Sequence, residues 1–310
     1  MTGAGSVQGH TVRVRIPARI DFAGGWSDVH YFSAREGGEV LNAAINRYVV
    51  GEAASNGGRM RVSYRSTIPH GAGLGGSAAL DVAWLALTNG LMGRSRSAVE
   101  LAEDAYRLEK ILGVEGGKQD QYASALGGFN LLRFGREEEP AVVEPLHLEA
   151  GIVKLLEERL VLCYSGRAHH SGDLHERVWA PFLAGDAPVL HALREIRDSV
   201  EPVRNALVRG DIDSLGELMS VNREAARNLV PELVTPTMDR LLAAAGDAGS
   251  IGAKACGAGG GGCMVFACRP GAAGRVMRTL RAGGAKVLPF QFEATSTWAG
   301  RADGPPEDAF

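Results

Sequence analysis

The sequence predicts a mixed α+β protein of two domains, and three observations predict it. The hydrophobic period switches between two and about 3.6 residues in both halves of the chain. A glycine-rich segment occurs in each half, at residues 71–76 and 252–262, and the two hold ten of the 42 glycines. At 310 residues the chain is long enough for two cores of ordinary size.

The first half opens on the alternation Val12-Arg13-Val14-Arg15-Ile16, a half-buried strand that Pro17 is expected to end. Apolar runs at 41–50 and 60–64 read as further strands. From Ser77 the period changes: Leu80, Ala83, Trp84 and Leu87 stand at i, i+3, i+4 and i+7, the core face of an amphipathic helix. A second helix covers about 97–112, with Val99, Ala102, Tyr106 and Leu108 among its candidate core residues, and Phe129–Phe134 reads as a strand. Glu137, Glu138 and Glu139 beside Pro140 read as a solvated turn. The second half begins near 149–154 with a strand at Leu160–Tyr164. It is helical from about 189 to 245, where Gly210-Asp211 separates two helices and Asp211 can cap the second. The end reads strand 263–267, helix 272–280, strand 286–292.

Apolar residues make up 45% and charged residues 22%, the composition of a soluble globular protein. A net charge of −3 gives no electrostatic reason to expect nucleic acid or an anionic membrane surface. No apolar run approaches the ~18 residues of a membrane span. Residues 1–10 lack the apolar stretch of a signal peptide, so a cytoplasmic protein is expected. Cys163, Cys256, Cys263 and Cys268 form no CxxC pair and no zinc spacing, and read as buried, reduced thiols.

The most informative stretch is Pro69-His70-Gly71-Ala72-Gly73-Leu74-Gly75-Gly76-Ser77-Ala78-Ala79. A glycine turn there delivers the chain into a helix N-terminus, where backbone N–H groups and the helix dipole suit an anion. Gly71-x-Gly73-x-x-Gly76 also matches a dinucleotide fingerprint, but no buried strand precedes it. A P-loop would need lysine where Ser77 stands. The plain alternative is a structural turn capped by Ser77.

This stretch resembles the phosphate-binding motif of GHMP kinases: proline, three residues, then Gly-Leu-Gly-(Ser/Gly)-Ser-(Ser/Ala). Pro17-Ala18-Arg19-Ile20-Asp21-Phe22-Ala23-Gly24-Gly25-Trp26-Ser27-Asp28 resembles the family's N-terminal motif, in the form of its fucokinase and heptose 7-phosphate kinase branch. Gly252 to Cys263 resembles the third motif, and Glu109 and Asp120 repeat the eleven-residue spacing of the family's metal-binding glutamate and catalytic aspartate.

The resemblance implies an N-terminal domain (11–150) like the second domain of ribosomal protein S5 and a ferredoxin-like C-terminal domain (151–300), with the site between them. It implies that Gly71, Gly73, Leu74, Gly75, Gly76, Ser77 and Ala78 bind ATP, and that Ser77 and Glu109 hold Mg²⁺. Asp120 is then the base and Arg19 the cation at the reacting oxygen. Asp28, Gly257, Gly259 and Gly260 are expected to bind the sugar, with Arg167 and His169 of the turn at 165–172 recognising a phosphate at its far end. Phosphoryl transfer suits such a set, because it asks for positioning and charge neutralisation rather than covalent chemistry.

The leading expectation is an ATP-dependent kinase of an anomeric hydroxyl, of a heptose 7-phosphate. Alternatives are a fucokinase- or galactokinase-like enzyme of an unphosphorylated sugar, and a non-catalytic sensor of ATP and sugar. The expected partners are ATP and the sugar, without nucleic acid or membrane, for a monomer or homodimer.

Overall fold

The computed structural model describes residues 10–56, 59–166, 171–295 and 298–301. In chain order the elements are β1 (His10–Ala23), α1 (His30–Glu36), β2 (Gly38–Asn56), β3 (Arg59–Ser66), α2 (Gly76–Leu91), α3 (Ala98–Ile111), α4 (Gln119–Leu126), β4 (Phe129–Phe134) and β5 (Val142–Leu146). There follow α5 (Ala150–Arg159), β6 (Leu160–Tyr164), α6 (Ser171–Leu183), α7 (Ala187–Asp198), α8 (Val200–Arg209), α9 (Ile212–Leu229), α10 (Pro236–Asp247), β7 (Ser250–Ala255), β8 (Cys263–Cys268), α11 (Ala273–Ala282), β9 (Lys286–Val287) and β10 (Trp298–Arg301).

The first sheet has the order β10-β1-β2-β4-β5, with β3 paired to the far end of β2. Pro17 does not end β1. A register shift between Pro17 and Ala18 absorbs the missing donor, and the strand continues antiparallel to β2 as far as Ala23. That continuation carries Arg19 and Asp21 to the domain junction.

Helix α2 lies against β1 and β2, but not on the face its large residues suggest. Ala78, Ala79, Val82, Ala83, Ala86 and Leu87 are buried, whereas Leu80 and Trp84 are exposed. Small residues let the helix approach the sheet closely, and the bulky pair is left outside. Helix α3 buries Ala102 and Tyr106 and leaves Val99 and Leu108 half-buried. Its N-terminus is closed by a Ser97–Glu100 capping box.

The second sheet has the order β7-β8-β6-β9. Numbered by sequence within this domain, that is the 4-1-3-2 strand order of a ferredoxin-like β-α-β-β-α-β unit, with α9 and α11 as its helices. Gly210, in the left-handed region, ends α8, and Asp211 accepts from the Ser214 N–H to start α9. The predicted strand 286–292 pairs with β6 only at Lys286 and Val287. The chain then crosses to the first sheet, where Glu293 donates its N–H to Ala44 and β10 pairs with β1.

The turn after β4 is more than a solvated one. The Glu137 and Glu139 carbonyls accept from the buried Lys118 ammonium, which also pairs with Glu103 at 3.1 Å. Tyr122 on α4 donates its hydroxyl to the same Glu103. Together they tie α4, which carries Asp120, to α3. All four cysteines are free and buried. Among the described residues no helix is long and apolar enough to cross a membrane.

Candidate active site

A cleft of about 710 Å³ opens between the first glycine loop, the head of α4 and the loop that joins β7 to β8. Its floor is the first glycine loop. Gly71, Gly73 and Gly75 all have positive φ, from +64 to +74°, so the backbone turns repeatedly with no side chain in the way. Gly75 is the N-cap of α2 and no side chain caps that helix. The amides of its first turn, which lack intrahelical partners, therefore face the cleft beside Gly76, Ser77 and Ala78.

The other glycine-rich segment, between β7 and β8, packs directly on this loop. The Cys263 N–H donates to the Ala72 carbonyl at 2.7 Å. A Cβ on Gly257 would lie 2.6 Å from the Gly73 oxygen, and one on Gly262 would lie 2.7 Å from the Ala72 oxygen. Backbone meets backbone, which is why glycine is required here. Arg19 stitches the loops together, donating to the carbonyls of Gly73 (2.7 Å) and Cys256 (2.6 Å). Its side chain is only 3% exposed and pairs with Asp120 at 2.7 Å. Burial by itself would lower the guanidinium pKa, but Asp120 and Asp21 outweigh it and raise it.

Three consecutive residues at the head of α4 face three different neighbours. Asp120 meets Arg19. Gln121 donates to Glu109 at 2.6 Å. The Gln119 N–H donates to Asp28 at 3.0 Å. Glu109 is buried on α3 and lies 3.4 Å from the Ser77 hydroxyl on α2. Burial, then the charges of Asp81 and Asp120, push the Glu109 carboxyl up to about 8. Asp81 is itself raised, chiefly by burial, and shares a hydrogen bond with Glu109. Asp28 is held up at about 7 by burial first, then by Asp120 and Asp21, against the lowering effect of the Gln119 N–H.

Trp26 adopts φ +84°, in the left-handed region that side chains rarely enter. Its indole N–H donates to the Ala258 carbonyl at 3.1 Å, and its ring packs on His175 at 4.8 Å between centroids. Beneath it, the buried pair Lys254–Asp21 (3.0 Å) joins β7 to β1.

Of the residues singled out from sequence, Arg19, Asp28, Glu109, Asp120, Ser77 and Gly257 converge on this cleft, as do Gly71, Gly73, Gly75, Gly76 and Ala78. Leu74 does not line it. Its side chain is fully buried, and only its carbonyl serves the site, accepting the Arg19 N–H. Gly259 and Gly260 face Leu233 and Leu174 rather than the cleft. Arg167 and His169 lie outside the described residues. Sequence reading missed Asp81, Gln119, Gln121 and His175. For Asp81 a signal existed: it stands four residues after Ser77, on the same helical face.

Residues 40–128 match the family profile for the GHMP kinases N terminal domain, and 203–286 that for the GHMP kinases C terminal. The chain is 27% identical to D-glycero-alpha-D-manno-heptose 7-phosphate kinase of Campylobacter jejuni, over 93% of this chain and 99% of that one. It is 30% identical to mevalonate kinase of Pyrococcus furiosus, over 84% of this chain and 75% of that one. The crystal structure of a D-glycero-D-manno-heptose 1-phosphate kinase from Bacteroides thetaiotaomicron has the same fold, with a TM-score of 0.74 at 24% identity over 93% and 98% of the two chains. The shared architecture, the two glycine loops packed on one another and these relatives establish that the chain belongs to the GHMP kinases.

Proposed function

We propose that the chain is an ATP-dependent sugar kinase that phosphorylates the anomeric hydroxyl of a heptose carrying a phosphate at its far end. One observation carries the kinase chemistry: Asp120, paired with Arg19, stands between the uncapped N-terminus of α2 and Asp28. In this reading the ATP phosphates lie along 71–78, held by backbone amides. The acceptor oxygen attacks the terminal phosphorus, the bond to the bridging oxygen of ADP breaks, and the hydroxyl proton passes to Asp120. Arg19 stays cationic throughout and stabilises charge on the transferring group. The substrate class follows the heptose kinase relative and the fold neighbour.

The residues around Ser77 fit a magnesium ion. Ser77, Glu109 and Asp81 offer oxygen ligands, and the Gln121 amide oxygen is buried with no partner among the described residues. A magnesium ion held by these residues would supply charge neutralisation for the phosphates. We assign 11–150 to ATP binding and 151–300 to the C-terminal domain, in a cytoplasmic monomer or homodimer.

A second reading, an unphosphorylated sugar, is favoured by one feature. Among the described cleft residues Arg19 is the sole arginine or lysine, and its Nε and Nη1 donors are committed to Asp120, Gly73 and Cys256, which leaves it little to offer a second phosphate. The far phosphate would then depend on Arg167 and His169. An ADP-release screen over heptoses, hexoses and their terminal phosphates tests both readings. Arg167→Ala is expected to raise KM for the phosphorylated sugar and leave that for ATP unchanged. Equal or better efficiency with free fucose or galactose would overturn the heptose phosphate and leave the kinase standing.

A further inference from the structure

We infer that Gln119 is a substrate-binding residue, whose amide oxygen accepts a hydrogen bond from a sugar hydroxyl other than the one phosphorylated. The inference rests on the sugar-kinase reading and extends it.

Gln119 lines the cleft and is only 7% exposed, yet its Oε1 is buried without any partner among the described residues. Buried acceptors in folded proteins are nearly always satisfied, and an unsatisfied one in a binding cleft calls for a donor from outside the chain. The backbone that carries the side chain is fixed. Its N–H is fixed on Asp28 Oδ2 at 3.0 Å, and its carbonyl accepts from the Asn42 amide at 3.4 Å. Gly25 leaves room beside the amide nitrogen end of this side chain. A Cβ there would come within 3.1 Å of the Gln119 amide nitrogen and 2.3 Å of Asp21 Oδ2.

The chemistry of the missing partner follows from the atom. An amide oxygen only accepts, so it suits a hydroxyl and not a phosphate dianion, which has no proton to give. The next residue, Asp120, takes the reacting hydroxyl, and Asp28 is locked to the Gln119 backbone. The sugar body therefore meets Gln119 and Asp28 together, through a backbone bond that holds the two in one place.

The test is a cycle between one side chain and one hydroxyl. Wild type and Gln119→Met are assayed by coupled ADP release with D-glycero-D-manno-heptose 7-phosphate, D-mannose and L-fucose, then with singly deoxygenated analogues of the best substrate. Loss of one neutral hydrogen bond predicts that Gln119→Met raises the sugar KM about tenfold or more, with the ATP KM unchanged. One deoxy analogue should raise KM similarly on wild type and show no further loss on the variant. The wild-type arm alone needs no folded variant: if no deoxy analogue binds more weakly, the inference fails. Wild-type sugar KM in Gln119→Met, or equal loss with every analogue, also overturns it and leaves the kinase reading intact. Wild type inactive on every sugar overturns that reading and the inference together.

Discussion

Arg19 grips Asp120 by a single oxygen: Nε at 2.8 Å and Nη2 at 2.7 Å both converge on Oδ1. The other oxygen, Oδ2, takes neither bond and lies beside Gly75, where an added Cβ would stand 3.3 Å away. One oxygen orients the carboxylate and the other is left toward the nucleotide loop, an arrangement suited to receiving a proton from the acceptor.

Asp120→Asn keeps the shape and removes the base. Turnover is expected to fall by ~10²–10⁴, with ATP affinity measured by calorimetry largely unchanged. Turnover within threefold of wild type would remove Asp120 from the reaction.

Gly257→Ala tests the contact between the two glycine loops. The new Cβ would sit 2.6 Å from the Gly73 carbonyl oxygen, a backbone atom that cannot rotate away. Overpacking of this kind costs about 1–3 kcal/mol, so the melting temperature should fall and the ATP KM rise. An unaltered ATP KM would mean that the second loop does not set the geometry of the first.

Ser77→Ala and Glu109→Gln probe the oxygen cluster between α2 and α3. Each is expected to raise the magnesium concentration for half-maximal ADP binding by roughly tenfold, as loss of a ligand or its immediate support does. Titration of Mg²⁺ at fixed ADP, read by calorimetry, checks this without relying on turnover. Wild-type magnesium dependence in both variants would place the ion elsewhere.

Asp28 gives the fold a pH dependence with a definite sign. Its folded pKa, about 7, lies above the ordinary value of 3.8. The native state therefore holds the proton more tightly than the unfolded state, and stability falls as pH rises between those values and levels off above them. Asp28→Asn should match wild type near the low end of that window and melt about 2–5 °C higher at pH 8. Melting curves whose difference does not change across the window would show that Asp28 is not the source.

The sequence by itself determined the local chemistry. Glycines at 71, 73 and 75 dictate a turn into a helix start, Asp211 marks another, and the spacing of Glu109 and Asp120 marks two carboxylates. These are legible because they depend on a few neighbouring residues. Tertiary structure alone decided who meets whom. Arg19 reaches Cys256 across 237 positions, Gln119 meets Asp28 across 91, and the last described strand returns to pair with the first. It also turned Leu80 and Trp84 outward, because the sheet accepts the alanine face of α2 more closely than the bulky one. Hydrophobic period says that a helix has a buried side. Which side, and which polar atom is left buried without a partner, is fixed only when two packed elements compete for the same space.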